Sequence, residues 1–305
     1  MIDLLPQIKA LADETRLRLL NILVRHELNV NELVAILGMG QSRISRHLKI
    51  LADSGLAQSR RDGLWVFYRA VDNGSGRELI DALKPFMAEA GLRQDLSRAA
   101  EVVDDRQKAT KQFFDAIAGD WDRRSREMLG DLDLAEEITR RMPMSRVAVD
   151  LGCGTGEILA SMLAKAESVI GVDNAPAMLA RARQRFAGNG EDVSLRIGEL
   201  HHLPLRDQEV DFALISMALH HLVKPQDALM EAYRVLGPGG NFLVVDLTRH
   251  DVEAMRSDQG DRWLGFDPEE LTTWLNKAGF SIQDSVFFPV NNGLTVQMQL
   301  ARKSE

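Results

Sequence analysis

Residues 147–156 read V-A-V-D-L-G-C-G-T-G, a short apolar run that ends in an acid and then sets glycine at every second position. The run suits a buried parallel strand that ends near Asp150. Gly152, Gly154 and Gly156 permit a tight turn and a close backbone approach to a ligand. A helix is expected over Glu157–Leu163, its N-terminus facing the same point. The next apolar segment, Ser168–Val172, ends in Asp173 about 20 residues on, the spacing at which a second strand brings a carboxylate to ribose hydroxyls. Strand, glycine turn, helix, strand and acid in this order predict a doubly wound α/β fold.

The spacing G-x-G-x-G differs from the G-x-G-x-x-G of dinucleotide folds. D-L-G-C-G-T-G resembles the first motif of class I S-adenosylmethionine (SAM) methyltransferases, and the resemblance runs further along the chain. Gly198–Leu205 (G-E-L-H-H-L-P-L) is similar to that superfamily's G-D-A-x-x-L-P segment, with Glu199 where Asp is usual. Asp211–Leu222 resembles its fourth strand and following helix, and Glu231–Gly240 (E-A-Y-R-V-L-G-P-G-G) its E-x-x-R-V-L-K-P-G-G signature before a fifth strand, Phe242–Asp246. Ser281–Val290 and Leu294–Arg302, around Asn291-Asn292-Gly293, read as a closing hairpin that supplies strands six and seven. The resemblance implies a Rossmann-like seven-stranded sheet and SAM or S-adenosylhomocysteine (SAH) as ligand. Asp150 and the loop Gly152, Cys153, Gly154, Gly156 would meet the amino-acid portion, and Asp173 the ribose. Glu199 would accept the adenine amine, and Leu200 would give a backbone N–H and an apolar wall. Asn174, Met178 and Ser216 complete the candidate lining. Core packing is the favoured role for Met178, and a nucleophilic role for Cys153 is not expected.

At 305 residues the chain suggests about two domains. A hydrophobic fraction of 45% suits a soluble globular protein, and no apolar run is long enough for a bilayer. Met1–Lys9 shows neither a basic leader nor a hydrophobic signal region, and the single cysteine excludes an internal disulfide framework. A cytoplasmic protein without membrane attachment is expected. The net charge of −8 is uneven: residues 1–100 carry 14 Lys and Arg against 12 Asp and Glu, net +2, and the rest carries −10. Within Gln41–Arg61, Arg43, Arg46, Lys49, Arg60 and Arg61 face only Asp53. Such a local basic patch is what contact with a phosphate backbone requires.

Local pattern gives that patch a frame. Thr15–Arg25 places Leu17, Leu20 and Leu23 on one helical face. A second short helix, Asn31–Leu37, ends at Gly38. A third starts at Gln41-Ser42 and turns Ile44, Leu48 and Leu51 inward. Leu56–Arg60 and Leu64–Ala70 flank Asp62-Gly63, a hairpin signal. The sum is a winged helix-turn-helix. Ala10–Leu20, Gln41–Leu56 and Arg61–Arg69 (R-D-G-L-W-V-F-Y-R) resemble the ArsR/SmtB family of bacterial repressors. That resemblance implies a homodimer paired through the first and last helices, near Leu4–Leu11 and Arg77–Met87, on double-stranded operator DNA. Its motif points to Gln41, Ser42, Arg43, Ser45 and Arg46 as base readers, with Arg60 and Arg61 on the wing. For His47, packing is at least as good a reading as contact with DNA.

The chain departs from that family at one telling place. Where many members sense metal through E-L-C-V-C-x-L, it reads Glu27-Leu28-Asn29-Val30-Asn31-Glu32-Leu33. Carboxamides are poor ligands for ions that thiolates select, and Arg77–Leu92 holds no histidine for the family's other site. No metal is expected. The sequence divides into a winged-helix domain over 1–92, a helical linker and lid over 93–145, and a methyltransferase-like domain over 146–305. Asp95–Lys111 is polar enough for an exposed linker. Gln112–Asp122 resembles a lid helix, with Phe114 expected in the core and Phe113 and Trp121 available to shield a sulfonium or adenine.

Catalysis is less legible than binding. The fourth strand ends in Ser216-Met217-Ala218, without the N-P-P-Y or D-P-P-Y of enzymes that methylate base amines. His220, His221 and His250 are the candidate bases, although packing or a surface loop explains each of them as well. Two readings stay open. One is a transcriptional repressor whose second domain senses SAH or SAM. The other is a SAM-dependent methyltransferase of a small molecule, with a DNA-binding domain for autoregulation.

Overall fold

Asp13 caps a helix by accepting the Arg16 amide at 3.1 Å, and that helix belongs to the first of two units, Met1–Arg106 and Gln107–Glu305. The computed structural model describes residues 4–87, 90–188 and 192–304, so Met1–Asp3 of the segment read for a leader lie outside it. Among the described residues no helix is long and apolar enough to cross a membrane.

The first unit contains α1 (Leu4–Leu11), α2 (Glu14–Leu23), α3 (Val30–Leu37), α4 (Gln41–Asp53) and α5 (Gly74–Leu83). They accompany an antiparallel sheet of β1 (Leu28–Asn29), β2 (Ala57–Asp62) and β3 (Trp65–Ala70), in the order β1-β3-β2. Leu19, Leu20, Ile22, Leu33, Ile44, Leu48 and Leu51 are fully buried in one core. The buried face of α2 is wider than its spacing suggests, because α1, α4 and β3 all pack on it. Leu19 and Ile22 are inside with Leu20 and Leu23, and Leu17 is half-buried. Asn29 and Glu32 close a capping box on α3: the Asn29 side chain accepts the Glu32 amide at 3.1 Å, and the Glu32 carboxylate accepts the Asn29 amide at 2.8 Å.

The long helix α6 (Ala90–Ile117) contains the stretch expected as an exposed linker. Its first part is packed instead. Asp95 is 2% exposed and receives two hydrogen bonds from the Arg18 guanidinium, at 2.7 and 2.8 Å. Arg98 donates to the Ile36 carbonyl, and Arg106 pairs with Glu32. The division between units accordingly falls after Arg106 rather than at Leu92. Charged residues looked solvated in the sequence because their partners lie on α2 and α3, some seventy positions away.

The second unit adds α7 (Trp121–Leu129), α8 (Leu134–Arg141), β4 (Ser145–Leu151), α9 (Glu157–Met162), β5 (Ala166–Asp173), α10 (Pro176–Arg185), β6 (Val193–Ile197) and β7 (Val210–Ser216). It continues with α11 (Pro225–Val235), β8 (Leu236–Leu247), α12 (Ala254–Asp258), α13 (Pro268–Lys277), β9 (Phe280–Pro289) and β10 (Thr295–Lys303). The seven strands run in the order β6-β5-β4-β7-β8-β10-β9, all parallel except β10, which is antiparallel to both neighbours. Alternate residues feed two cores. Ala213, Ile215, Phe242 and Val244 point to one, and Phe212, Leu214, Leu243 and Val245 to the other. Strand order reverses between β4 and β7, so the crevice beyond their C-terminal ends is where such a sheet takes a ligand.

Candidate functional site

The glycine loop leaves β4 at that switch point. Gly152, Gly154 and Gly156 have φ of 84°, 52° and 77°, the left-handed region that favours glycine. Side chains would also collide: a Cβ on Gly152 would stand 2.7 Å from the Ala218 Cβ, with Leu200 Cδ1 at 3.6 Å. The amides of Gly152 and Cys153 donate to the Val172 carbonyl at 2.8 and 3.0 Å. Asp173, ending β5, accepts the Gly154 amide at 2.9 Å and the Ala175 amide at 2.8 Å. It therefore fixes the loop to α10 and still has lone pairs for ribose hydroxyls.

At the ends of β4 and β7, Asp150 Oδ1, on a residue 2% exposed, and Ser216 Oγ, on a residue 8% exposed, have no hydrogen-bond partner among the described residues. Burial, and then the charge of Asp173, push the Asp150 pKa up to about 8. Orphaned acceptors beside a cradle of left-handed glycines fit the ammonium and hydroxyl donors of SAM or SAH. Burial above all, together with Asp150 and Asp173, raises the Cys153 thiol, in keeping with a packing role. Met217, the next residue after Ser216, has a φ of 51° and carries backbone strain at the strand end.

The other sequence candidates divide between lining and packing. Asn174 donates to the Glu199 carboxylate at 3.1 Å, and Glu199 is exposed. Met178 is 2% exposed and clusters with Ala118, Ala175, Phe114 and Trp121, which is the expected packing role. The Trp121 indole nitrogen lies 3.7 Å from where a Cβ on Gly154 would stand, so the ring lies over the glycine loop. Its neighbour Asp122 accepts the Thr155 hydroxyl at 2.5 Å and the Arg185 guanidinium at 2.6 Å, while Arg185 donates to the Thr155 carbonyl at 3.1 Å. This clamp from α7 to loop to α10 was not expected from sequence, where no spacing connects its three residues.

The histidines beyond β7 are buried. His220 Nδ1 is 2.5 Å from an Asp246 carboxylate oxygen, and its Nε2 is 3.5 Å from Asp261. Burial alone would lower its pKa, but Asp246 and Asp261 outweigh that and push it up to about 9. His221 Nδ1 meets the Gly260 carbonyl at 3.2 Å, and its ring lies edge-on to Phe114 with centroids 4.7 Å apart. Burial and then the charge on His220 hold its pKa well below the usual histidine range. His250 lies in the loop between β8 and α12, half-buried, and its Nδ1 accepts the Val252 amide at 3.2 Å.

In the first unit, Gln41, Ser42, Arg43 and Arg46 are exposed on α4, and Ser45 is half-buried. His47 points inward, 3.7 Å from Asp13. On the wing the two arginines part. Arg61 is exposed and donates to the Gly63 carbonyl at 3.1 Å. Arg60, expected at the DNA surface, is half-buried between Glu27 at 3.2 Å and Asp62 at 3.0 Å, its guanidinium over the Phe67 ring. Asp62 is 7% exposed, and Arg60 supplies a counter-charge to it within the domain.

Comparison with known proteins finds a separate family for each unit. Residues 13–59 match the family described as bacterial regulatory protein, arsR family, and residues 149–244 match the methyltransferase domain family. The chain thus joins an ArsR-family helix-turn-helix region to a class I methyltransferase domain of Rossmann-like fold. A 37.1 kDa protein in transposon TN4556 of Streptomyces fradiae is 44% identical over 101 residues, which are 32% of this chain and 29% of that protein. An arsenite methyltransferase of Halobacterium salinarum is 33% identical over 168 residues, 54% of this chain and 41% of the relative. The chain therefore spans less than half the length of these two relatives. Among solved structures, the [4+2]-cyclase SpnF aligns with a TM-score of 0.55 at 19% identity, covering 63% of this chain and 94% of the cyclase. That likeness is one of fold alone.

Proposed function

We propose that the chain is a DNA-binding transcriptional repressor whose methyltransferase-like domain binds SAM or SAH as its effector. The observation that carries the effector reading is the state of the histidines beyond β7. His220 and His221 are 3% and 7% exposed, with their Nδ1 atoms turned to Asp246 and the Gly260 carbonyl, so burial withholds both rings from an incoming acceptor. The glycine crevice, by contrast, keeps unsatisfied acceptors for a ligand's donors. On the DNA side, α4 exposes Gln41, Ser42, Arg43 and Arg46 as a contiguous edge. Exposed Leu4, Leu5, Ile8 and Phe86 support pairing of two copies through the first and last helices of the winged-helix domain. A cytoplasmic site of action follows from operator DNA as partner.

Effector binding acts by favouring one of two DNA affinities. The test uses a duplex selected by the full chain from a random library. SAH or SAM at micromolar concentration should change its affinity at least tenfold, and an unchanged affinity overturns the effector reading. The second reading, a small-molecule methyltransferase, is favoured by the similarity to an arsenite methyltransferase. A single cysteine makes arsenite itself a poor substrate candidate, since trivalent arsenic is a soft centre that thiolates hold. Transfer of labelled methyl from SAM to a metabolite of a cell extract would establish this second reading.

Asp150 gives a pH signature. Its pKa in the folded chain is about 8 against an ordinary 3.8. A carboxylate so raised keeps its proton in the folded state where the unfolded chain has lost it. Its stabilising contribution is complete below pH of about 4 and is lost as pH rises through about 8. Ligand-free protein should lose stability across that window, and Asp150→Asn should flatten the slope in thermal melts. An ammonium from SAH placed beside Asp150 favours the carboxylate, so binding at neutral pH should release about one proton. Calorimetry in buffers of different ionisation enthalpy reads that release; heats independent of buffer would remove the ammonium from Asp150.

A further inference from the structure

A cluster beyond the ends of β7 and β8 has the composition of a metal centre. One ring nitrogen each from His220 and His221 and one carboxylate oxygen of Asp261 lie within 4.8 Å of one another, and all three residues are buried. The pair of histidines follows β7 directly, and Asp261 comes from the loop after α12.

Three features set this cluster apart from an ordinary buried ion pair. The first is the donor set. Two imidazoles and one carboxylate are the set used for zinc with an open position and for non-haem iron(II). The second is how the rings are aimed. His220 Nδ1 is turned to the Asp246 carboxylate at 2.5 Å and His221 Nδ1 to the Gly260 carbonyl at 3.2 Å. Carboxylates and backbone carbonyls in this role are what orient ligating histidines and leave the other nitrogen bare. Among the described residues His221 Nε2 is buried without a hydrogen-bond partner, and Nδ1 of the same ring is 4.0 Å from an Asp261 carboxylate oxygen. His220 Nε2 is 3.5 Å from Asp261, close to the ~3.4 Å between two donors of a tetrahedral ion bound at about 2.1 Å. The third is charge. Asp246 and Asp261 bring two acidic side chains, each 0% exposed, to the two histidines, and a divalent cation held by Asp261 would join the contacts these groups already make.

We propose that His220, His221 and Asp261 bind one first-row divalent transition-metal ion, with Asp246 and the Gly260 carbonyl holding the imidazoles in place. The expectation of no metal was drawn from thiol positions and a last helix in the winged-helix domain. This site lies in the other domain and uses different chemistry. None of its ligands belongs to the glycine loop or to Asp173, so metal binding and SAH binding are read separately, although the effector reading draws on the same two histidines.

The test uses the full chain, freed of metal with a chelator and dialysed against Zn2+ or Co2+. Wild type should retain one equivalent per chain, and the Co2+ form should show visible d–d bands of a nitrogen and oxygen site. His221→Gln and Asp261→Asn should each lose at least about 100-fold in Zn2+ affinity. Asp246→Asn, which only positions His220, should lose about 10–100-fold. A control with exposed His201 and His202 both changed to Gln should bind as wild type does. Circular dichroism identifies any variant that fails to fold, and the wild-type stoichiometry stands without the variants. No retained ion in wild type, or equal retention in folded His221→Gln and Asp261→Asn, overturns the proposal.

Discussion

Asp173→Ala should reduce SAM and SAH binding by at least about 100-fold. The carboxylate has two tasks at one point. It holds the Gly154 and Ala175 amides at 2.9 and 2.8 Å, and in the proposed complex its remaining lone pairs accept the ribose hydroxyls. Hydrogen bonds to a charged group contribute about 1.5–3 kcal/mol each. Losing two ribose bonds alone thus removes about 3–6 kcal/mol, and every 1.4 kcal/mol is tenfold. Release of the Gly154 amide then loosens the loop before any ligand arrives. Asp173→Asn, which keeps one acceptor oxygen, should fall between the alanine variant and wild type. Calorimetry measures the loss, and DNA affinity should remain that of the ligand-free protein while the response to SAH disappears. Ligand affinity within a few-fold of wild type in a folded alanine variant would remove Asp173 from the site.

Arg46→Ala should weaken operator binding by about 1–3 kcal/mol for each half-site and leave SAH affinity unchanged. Arg46 is exposed on α4, one turn beyond Arg43 on the same edge as Gln41 and Ser42. If it meets a base edge, discrimination falls at one base pair. If it meets phosphate, the slope of affinity against salt falls by about 0.9 for each phosphate left without its arginine. Fluorescence anisotropy across a salt series separates the two. Arg60→Ala gives the contrast. Because Arg60 balances Glu27 and Asp62 within the domain, its removal should lower the melting temperature more than it alters the salt slope. Undiminished operator affinity in Arg46→Ala would place the DNA surface elsewhere.

How much of this was readable in the chain depended on the range of the interaction. Gly152, Gly154 and Gly156 announced themselves because a backbone in the left-handed region excludes other residues at fixed spacing. Asp173 followed from strand length, and the wing from Asp62-Gly63 between alternating runs. Features built by residues far apart in sequence were hidden. Asp122, Thr155 and Arg185 form their clamp across more than sixty positions, and Asp246 and Asp261 reach His220 from outside its own segment. The two-residue strand β1 left no periodicity to read. The ion pairs of Arg60 and Asp95 were hidden for one reason: a charge in sequence carries no sign of whether its partner is water or a buried ion.

The capping box on α3 bears on how such a chain can change over evolutionary time. Asn29 stands where related repressors carry the first of two sensing thiols, and here it fastens the start of the helix-turn-helix together with Glu32. A cysteine at that position gives up a cap worth about 0.5–2 kcal/mol. Acquiring thiol sensing would therefore begin with a less stable intermediate that gains nothing until a second thiol replaces Asn31. Fastening and thiol sensing thus compete for one side chain, and a change from one to the other takes two substitutions of which the first costs stability.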